Sequence, residues 1–295
     1  MHSVQIDLLT GAAATQRQRT RPRGQILKWV GNKYRYAATI AKYLPAEFDT
    51  YYEPFVGTGA VLATMHPARA VAADNLPMLV ELLKAVQDDP EIVASHYEVW
   101  RDQIVEQGRS AYLEVRSRYN TQPNPLDLMV LSRTCYGGVV RFTRQGTMST
   151  PMGPHRAMPA EKLRMRLAEW QERLASVRFL CQDFSETIAE AGNGDLVYCD
   201  PPYVHGQSIL YGAQDFQLDS LWHVLGAAID RGAAVAVSVD GWRRSGDEEI
   251  DPSLIEGMFA RELLIERGGC MLRRFQMSGE DMAMEQVADR LLLSW

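Results

Sequence analysis

The order of apolar and polar positions predicts alternating strands and helices. Residues 49–61 fit a short strand, a glycine turn and the start of a helix, and residues 69–74 fit a second short strand that ends in an acid. A helix is predicted over 78–87, and an earlier helical pattern over 33–45 stops at a proline. Strand, glycine turn, helix, strand and helix in this order are typical of the start of a parallel, doubly wound sheet.

The middle of the chain interrupts this alternation. From about 88 to 174 the pattern is mostly helical, apart from a loop rich in Gly, Arg and Thr. Strands are then predicted over 178–183, 195–200 and 233–240, and the β-rich runs RELLIER and QVADRLLLSW come last. The predicted units are a flexible N-terminal arm over 1–23, an α/β domain over 24–87 and 175–295, and an insertion over 88–174.

Composition limits the class of protein. The chain has 295 residues, of which 46% are hydrophobic and 23% charged, as in ordinary soluble globular proteins. No apolar run approaches the roughly 20 residues of a membrane helix, and the N-terminus lacks the apolar core of a secretory signal. Four scattered cysteines without C-x-x-C spacing argue against a zinc site or a disulfide framework. We therefore expect a cytoplasmic protein with no metal and no membrane partner.

The formal net charge of −6 argues at first sight against an anionic partner. Basic residues nevertheless cluster at 17–23 and at 155–166, and Arg133, Arg141 and Arg144 follow one another closely. A basic groove on an acidic body can bind phosphates. The charge pattern therefore permits a nucleic-acid partner without requiring one.

The stretch EPFVGTGAV carries the first candidate chemistry. Gly57 and Gly59, at a strand-to-helix junction, let the backbone approach a nucleotide-like ligand, although a structural turn remains an alternative. A dinucleotide fingerprint would need glycine at position 62, where Leu62 stands, which disfavours a nicotinamide oxidoreductase. Asp74 ends the next strand and could bind ribose hydroxyls or cap a helix. With Glu53 and the glycines in place, the ribose role is favoured.

The stretch VYCDPPY carries the second candidate chemistry. A strand that ends at Asp200 brings its carboxylate to the carboxyl edge of the sheet. Pro201 leaves its carbonyl as a hydrogen-bond acceptor, Pro202 stiffens the turn, and Tyr203 offers a ring for stacking. Two acceptors beside an aromatic ring suit an amino group on a flat heteroaromatic ring, such as adenine, and would favour its attack on an electrophilic carbon. The alternative is a structural Asp cap followed by prolines.

Seven motifs together resemble those of a known family. They occur in the family's order: LKWVGNK, YYEPFVGTGAV, VAADN, SRTCYGGVVRFTRQGTMSTPMG, CQDF, VYCDPPY and VADRLLLSW. From about Leu27 to Trp295 the chain resembles the Dam-like N6-adenine DNA methyltransferases, which depend on S-adenosylmethionine. The resemblance implies a Rossmann-like class I methyltransferase sheet with an inserted, mostly helical DNA-recognition subdomain.

The resemblance also implies roles for individual residues. Those expected at the cofactor are Trp29, Gly31, Lys33, Glu53, Phe55, Gly57, Gly59, Asp74, Asp183, Phe184 and Asp200. Those expected to hold a flipped-out target adenine are Asp200, Pro201, Pro202 and Tyr203. Those expected to contact DNA are Arg133, Tyr136, Arg141 and Arg144. No metal is needed in this family, because the sulfonium of the cofactor already makes the methyl group electrophilic.

The chain departs from the family pattern mainly in the insertion. Ser132 and Gly137 replace two asparagines that the family usually has, and Met148 and Ser149 replace Phe-Asn. Side chains that could contact DNA or brace the loop are therefore missing, and the recognition sequence stays open. Asn32 stands where the family often has glycine.

The sequence thus predicts a site-specific adenine methyltransferase acting on double-stranded DNA in the cytoplasm, in association with the nucleoid. One alternative is methylation of adenine N6 in RNA, since the same acceptors suit any planar amino group. Another is a non-catalytic DNA-binding protein that retains the fold. A cognate restriction enzyme as partner and the oligomeric state both stay open.

Overall fold

The computed structural model describes residues 19–143, 145–202, 216–240, 257–266 and 288–295. Within these residues seven strands form one sheet in the order β3-β2-β1-β4-β5-β7-β6. The strands are β1 (Tyr51–Glu53), β2 (Ala70–Asp74), β3 (Val177–Cys181), β4 (Leu196–Cys199), β5 (Ala234–Asp240), β6 (Arg261–Glu266) and β7 (Ala288–Leu293). Strands β1 to β5 pair in parallel, whereas β7 runs antiparallel to both β5 and β6. The predicted α/β fold class is confirmed.

The helices of the described residues alternate with strands except over the middle of the chain, where α4 to α7 follow one another as predicted. They are α1 (Ala37–Tyr43), α2 (Ala60–Met65), α3 (Pro77–Asp88), α4 (Pro90–Gln107), α5 (Arg109–Thr121), α6 (Pro125–Thr134), α7 (Ala160–Leu174), α8 (Phe184–Ala189) and α9 (Leu218–Asp230). Helices α3, α4 and α6 begin with proline, whose fixed φ angle suits the first helical position. The side chains of Asp89 and Asn124 accept backbone N–H groups at the starts of α4 and α6.

Two predicted elements differ in detail. The helical pattern over 33–45 forms a short 3₁₀ turn, Lys33–Arg35, followed by α1. The strand predicted over 178–183 ends at Cys181, because Asp183 begins α8 by accepting the backbone N–H of Ser185 at 2.9 Å. The helix predicted over 78–87 is confirmed as α3.

Helices α4 to α7 lie between β2 and β3 in the chain and share their core with the sheet. Tyr97 of α4 and Trp170 of α7 are fully buried in the same hydrophobic cluster as Tyr51 of β1 and Tyr198 of β4. Helix α4 packs against α7, and α3 packs against both α6 and α7. The helical segment therefore joins the sheet through one continuous core. The predicted boundaries at 88 and 174 stay a prediction.

The last residues of the predicted arm are anchored to the body of the protein. The guanidinium of Arg19 donates to the carbonyls of Ala41 and Leu44 at 2.9 and 2.8 Å. These carbonyls lie at the C-terminal end of α1, where a helix leaves its carbonyls unsatisfied and favours a positive charge. Residues 19–23 are thus held in place, and residues 1–18 lie outside the described residues.

Candidate active site

Three acidic side chains lie at the carboxyl ends of adjacent parallel strands. Glu53 is the last residue of β1, Asp74 is the last of β2, and Asp200 directly follows β4. Strand β1 lies between β2 and β4, at the point where the strand order reverses and α/β proteins bind ligands. The three acids line one cavity, which we call the acidic cavity. Its other predicted lining residues are Trp29, Gly31, Lys33, Phe55, Gly57, Pro201 and Pro202.

The glycine loop is tied to the end of β2 by Asp74. The backbone N–H of Gly57 donates to Asp74 Oδ2 at 3.1 Å, and that of Leu76 donates to Oδ1 at 3.0 Å. Burial raises the pKa of Asp74, and these backbone N–H groups oppose that rise. Gly57 has a φ of 49°, and a Cβ there would meet nothing within 4 Å, so the loop leaves open space for a ligand. Gly59 instead begins α2 and is not among the described lining residues.

Glu53 is a buried carboxyl in the wall of the cavity, with 2% of its surface exposed. The hydroxyl of Tyr51 donates to its Oε2 at 2.6 Å. Burial raises the pKa of Glu53 to about 8, the charge of Asp200 adds to the rise, and the Tyr51 hydrogen bond opposes it. In the free protein at neutral pH the carboxyl is therefore mostly protonated. A cation bound beside it would favour the ionised form.

Lys33 and Asp200 form an ion pair between positions 167 residues apart in the chain. The Lys33 Nζ to Asp200 Oδ1 distance is 2.5 Å, and the side chains are only 4% and 19% exposed. The 3₁₀ turn that holds Lys33 is capped by Asn32, whose Oδ1 accepts the N–H of Tyr34 at 2.8 Å. The ammonium therefore fixes the orientation of the carboxylate. The resemblance to the family did not predict this pairing.

The two prolines form the floor of the cavity beside Asp200. Strand β4 ends at Cys199, since a proline cannot donate to the ladder. Pro201 is buried and Pro202 is half-buried, and both line the cavity. Tyr203 lies outside the described residues, so its stacking role stays a prediction.

The segment that precedes Lys33 forms another wall. Trp29, which is 9% exposed, and Gly31, with a φ of 78°, line the cavity. Asn32 Nδ2 donates to Gln25 Oε1 at 2.9 Å and so fastens this wall to the chain seven residues earlier. The departure from glycine at position 32 therefore has a structural use.

A phenylalanine cluster lies beside the cavity. The rings of Phe55 and Phe184 are stacked with centroids 5.3 Å apart, and Phe216 meets both rings edge-on. Phe55 lines the cavity, whereas neither Asp183 nor Phe184 is among its described lining residues. Phe184 is thus connected to the cavity through Phe55, and Asp183 caps α8. The expectation that these two residues flank the adenine of a cofactor stays a prediction.

The residues predicted to contact DNA do not share one exposed surface. Tyr136 is 42% exposed and Arg141 is exposed, but Arg133 is only 8% exposed. Arg133 donates to the backbone carbonyls of Gln25 and Ile26 at 3.3 and 2.7 Å. Helix α6 turns this side chain toward the N-terminal segment, and the expectation that Arg133 contacts DNA stays a prediction. Arg144 lies outside the described residues.

Arg141 stands on a tight turn of the chain. The backbone N–H of Ser149 donates to the Arg141 carbonyl at 2.9 Å, and that of Thr143 donates to the Thr147 carbonyl at 2.8 Å. Phe142 and Met148 form an isolated antiparallel bridge between these bonds. The hairpin-like turn holds the backbone of Arg141 in a fixed place.

Three residues at the site were missed by the sequence reasoning. Tyr51 could have been found, because residues two apart on a strand point to the same face and Glu53 was already a candidate. Gln25 contacts Asn32, seven residues later, without a motif that marks the pair, and Phe216 reaches the site through Phe55, far away in the chain.

The chain is also similar to known proteins. Residues 29–218, more than half of the chain, match the profile of the D12 class N6 adenine-specific DNA methyltransferases. The chain belongs to this family. It is 33% identical over 208 residues to the retron Ec67 DNA adenine methylase of Escherichia coli, covering 68% of this chain and 70% of that protein. It is 29% identical over 184 residues to the DNA adenine methylase of Vibrio cholerae serotype O1, covering 60% and 64% of the two chains.

Solved structures offer a weaker comparison. An rRNA methyltransferase, aviRa, from Streptomyces viridochromogenes is 16% identical, with a TM-score of 0.39 over 92% of this chain and 89% of that one. A score at this level says nothing about substrate.

Metal clusters and membrane-spanning helices are both absent from the described residues. No group of three or more His, Cys, Asp or Glu side chains in the described ranges is placed to hold a metal ion. No helix in that part of the chain is long and apolar enough to cross a membrane.

Proposed function

We propose that the protein transfers a methyl group from S-adenosylmethionine to N6 of an adenine flipped out of duplex DNA. The observation that carries the proposal is the Lys33–Asp200 ion pair at the cavity wall, directly before Pro201 and Pro202. It places an oriented carboxylate at the carboxyl edge of the sheet, next to the glycine loop at Gly57. Membership of the family supports the same reaction.

The acidic cavity fits the proposed cofactor by charge and by shape. S-adenosylmethionine carries a sulfonium and an ammonium, and Glu53, Asp74 and Asp200 provide carboxyl groups in the cavity wall. The open space above Gly57 lets a ligand approach the backbone, and Asp74 is placed where such folds bind ribose hydroxyls. Trp29 and Gly31 would hold the methionine part. When bound, the cofactor supplies a methyl group made electrophilic by its sulfonium.

The residues around Asp200 would orient and activate the target amino group. Asp200 and the Pro201 carbonyl would accept hydrogen bonds from the two N–H groups of adenine N6. These bonds increase electron density on nitrogen and stabilise the positive charge that develops there during attack. Lys33 keeps the carboxylate in place, so little reorganisation is needed during the reaction. Tyr203 would stack on the base, as the sequence predicts.

Access to this site requires the base to leave the duplex, because N6 of a paired adenine cannot reach a carboxylate in the wall of a cavity. Tyr136, exposed beside the Arg141 turn, would contact the DNA where the base is extruded, and Arg141 would contact phosphate or a base edge. A DNA substrate also implies association with the nucleoid.

Methylation-sensitive sequencing of DNA tests the proposal. DNA from cells that express the wild-type protein should contain N6-methyladenine at one recognition sequence, and DNA from cells with the Asp200→Ala variant should not. Equal methylation with both proteins would refute the role of Asp200. No methylation with either would refute the activity.

Two further assays separate the alternatives. Purified protein given duplex DNA and RNA of matched sequence should methylate the DNA, and a preference for RNA would favour the RNA alternative. Titration calorimetry should detect S-adenosylmethionine binding. A protein that binds DNA but no cofactor would be a non-catalytic DNA-binding protein.

A further inference from the structure

A second cavity, of about 620 Å³, lies beside the start of the described chain. Five cationic side chains line it, and we call it the cation cavity: Arg101, Arg133, Arg156, Lys162 and Arg166. They come from α4, α6, α7 and the segment before α7. No acidic residue is among the described residues that line it. A volume of this size holds a phosphate group and several waters.

The positive charge of the cation cavity is left uncompensated. Arg133, Arg156, Lys162 and Arg166 make no ion pair with any carboxylate of the described residues, and Arg101 pairs only with the largely exposed Asp102. The contrast with Arg164 on the same helix α7 is direct. That guanidinium is paired with three glutamates, Glu91, Glu98 and Glu161.

Two buried donors at this cavity lack a partner. The Nε atoms of Arg133 and Arg101 are buried and have no hydrogen-bond partner among the described residues. An unsatisfied buried donor is unfavourable and is usually explained by a missing ligand, ion or water. Arg133 itself is only 8% exposed. Burial lowers the pKa of Arg133 to about 10, the nearby charge of Arg166 adds to this decrease, and Tyr97 opposes it.

The walls of the cavity are fixed in advance. Arg133 and Arg166 both donate to the backbone carbonyl of Gln25, at 3.3 and 2.7 Å. One carbonyl therefore positions two guanidinium groups from different helices. Preorganised donors lose little freedom when an anion binds.

We propose that the cation cavity is a phosphate-binding site separate from the acidic cavity. Guanidinium groups match the geometry of phosphate oxygens, and several donors from different elements can surround one phosphate. The phosphate is either a backbone phosphate of DNA or a free phosphate ion. The DNA source rests on the proposed function, whereas the free ion does not.

The first arm of the test uses inorganic phosphate and the full-length protein. Phosphate should shift the Nε–H signal of Arg133 in ¹H–¹⁵N spectra in a saturable manner. Lys162→Gln and Arg156→Gln, two exposed positions whose change leaves the Gln25 contacts intact, should weaken this binding several-fold. Arg164→Gln, with the same loss of one charge on the same helix, should not change it.

The second arm uses duplex DNA at several salt concentrations. Removal of one phosphate-binding side chain should reduce the slope of log K against log[salt] by about 1. We expect this reduction for Lys162→Gln and Arg156→Gln, but not for Arg164→Gln. A reduced slope assigns the site to the DNA backbone. Saturable phosphate binding with unchanged slopes assigns it to the free ion.

Absence of both effects would overturn the proposal. Calorimetry with S-adenosylmethionine on the same proteins keeps the two hypotheses apart. If the wild-type protein fails to bind the cofactor, the proposed function fails while the phosphate result stands. If cofactor binding is normal in all variants and both phosphate arms are negative, only the cation cavity proposal fails.

Discussion

The acidic cavity and the cation cavity are lined by ionisable side chains of mainly opposite sign, although one chain segment contributes to both. Gln25 lines the cation cavity, and Trp29 to Lys33 line the acidic cavity. The net charge of −6 describes neither of them. The comparison shows that a chain-wide charge is a poor guide to partners. Under the two proposals, the acidic cavity binds a cofactor of net positive charge and the cation cavity binds a phosphate.

The two cavities also differ in how far their charged side chains are compensated by neighbouring groups. In the acidic cavity Lys33 neutralises Asp200, and Glu53 is mostly protonated at neutral pH. In the cation cavity no described carboxylate lines the wall, and buried arginine donors stay unsatisfied. The charge of Asp200 is therefore compensated within the acidic cavity, whereas no described carboxylate in the wall of the cation cavity compensates its cations.

The largest expected effect is on Asp200. Asp200→Asn keeps the size of the side chain but removes the charge that orients the amino group. Methyl transfer in single-turnover assays should fall by about 10²-fold or more. Cofactor affinity, measured by calorimetry, should change far less.

A matched pair of variants separates chemistry from stability. Asp200→Asn leaves the buried Lys33 without its charged partner, which by itself destabilises the fold. Lys33→Met combined with Asp200→Leu should recover stability against urea but not activity. A wild-type rate of methyl transfer in Asp200→Asn or in the double variant would contradict the proposed role of Asp200.

The next largest effect is expected at Arg133. Arg133→Met removes the donors to the Gln25 and Ile26 carbonyls and should lower the free energy of unfolding by about 1–3 kcal/mol in urea titrations. Arg141→Met, the exposed counterpart, should stay within about 0.5 kcal/mol of wild type. An equal loss of stability in both variants would contradict the stabilising role of the buried Arg133.

A pH effect is expected from Glu53. The folded protein holds this proton up to about pH 8, whereas an unfolded glutamate releases it near pH 4.3. Between these two pH values the folded state binds more protons than the unfolded state. The contribution of Glu53 to the free energy of unfolding is therefore fully present below about pH 4 and declines as pH rises toward 8. Relative to Glu53→Gln, the wild-type free energy of unfolding should fall by at least about 1 kcal/mol between pH 5 and pH 8.

Cofactor affinity should show the opposite trend. A cationic ligand favours ionised Glu53, so binding should tighten as pH rises toward 8 in the wild type and less so in Glu53→Gln. Tyr51 and Asp200 both act on the same carboxyl, and the variant leaves both in place. Parallel pH profiles for the two proteins would rule out Glu53 as the titrating group.

The smallest effect concerns the connection between the cavities. Gln25→Ala removes the side chain that accepts Asn32 Nδ2 but keeps the backbone carbonyl of the cation cavity. Cofactor affinity should weaken by roughly two- to fivefold, as for one neutral hydrogen bond. Gln25→Leu, which keeps most of the length of the side chain but has no acceptor, should match it. An affinity equal to that of the wild type in either variant would contradict the connection.

Much of the sheet could be predicted from the sequence, because the deciding signals are local. Apolar runs that end in an acid mark the carboxyl ends of β1, β2 and β4, and the parallel topology then brings Glu53, Asp74 and Asp200 together. The proline pair after Asp200 is also a local signal, because a proline cannot donate to a sheet and so marks the end of the strand.

What could not be predicted depends on contacts between distant parts of the chain. The side chain of Arg133 looks like its exposed neighbour Arg141 in the sequence, and only the packing of α6 against the N-terminal segment buries it. The pairing of Lys33 with Asp200 spans 167 residues and has no local signature. The sequence around Asp183 clearly predicts a helix cap. The cap does not show whether Asp183 also contacts a ligand.

The shared core of the sheet and helices α4 to α7 has a consequence for how target choice can change. Trp170 and Tyr97 are buried in the same cluster as Tyr51 of β1, so the helical segment does not have a core separate from that of the sheet. Exchanging it for a homologous segment would disturb many packed side chains at once. Under the proposed function, a new specificity is more easily reached by point changes on the turn near the exposed Arg141.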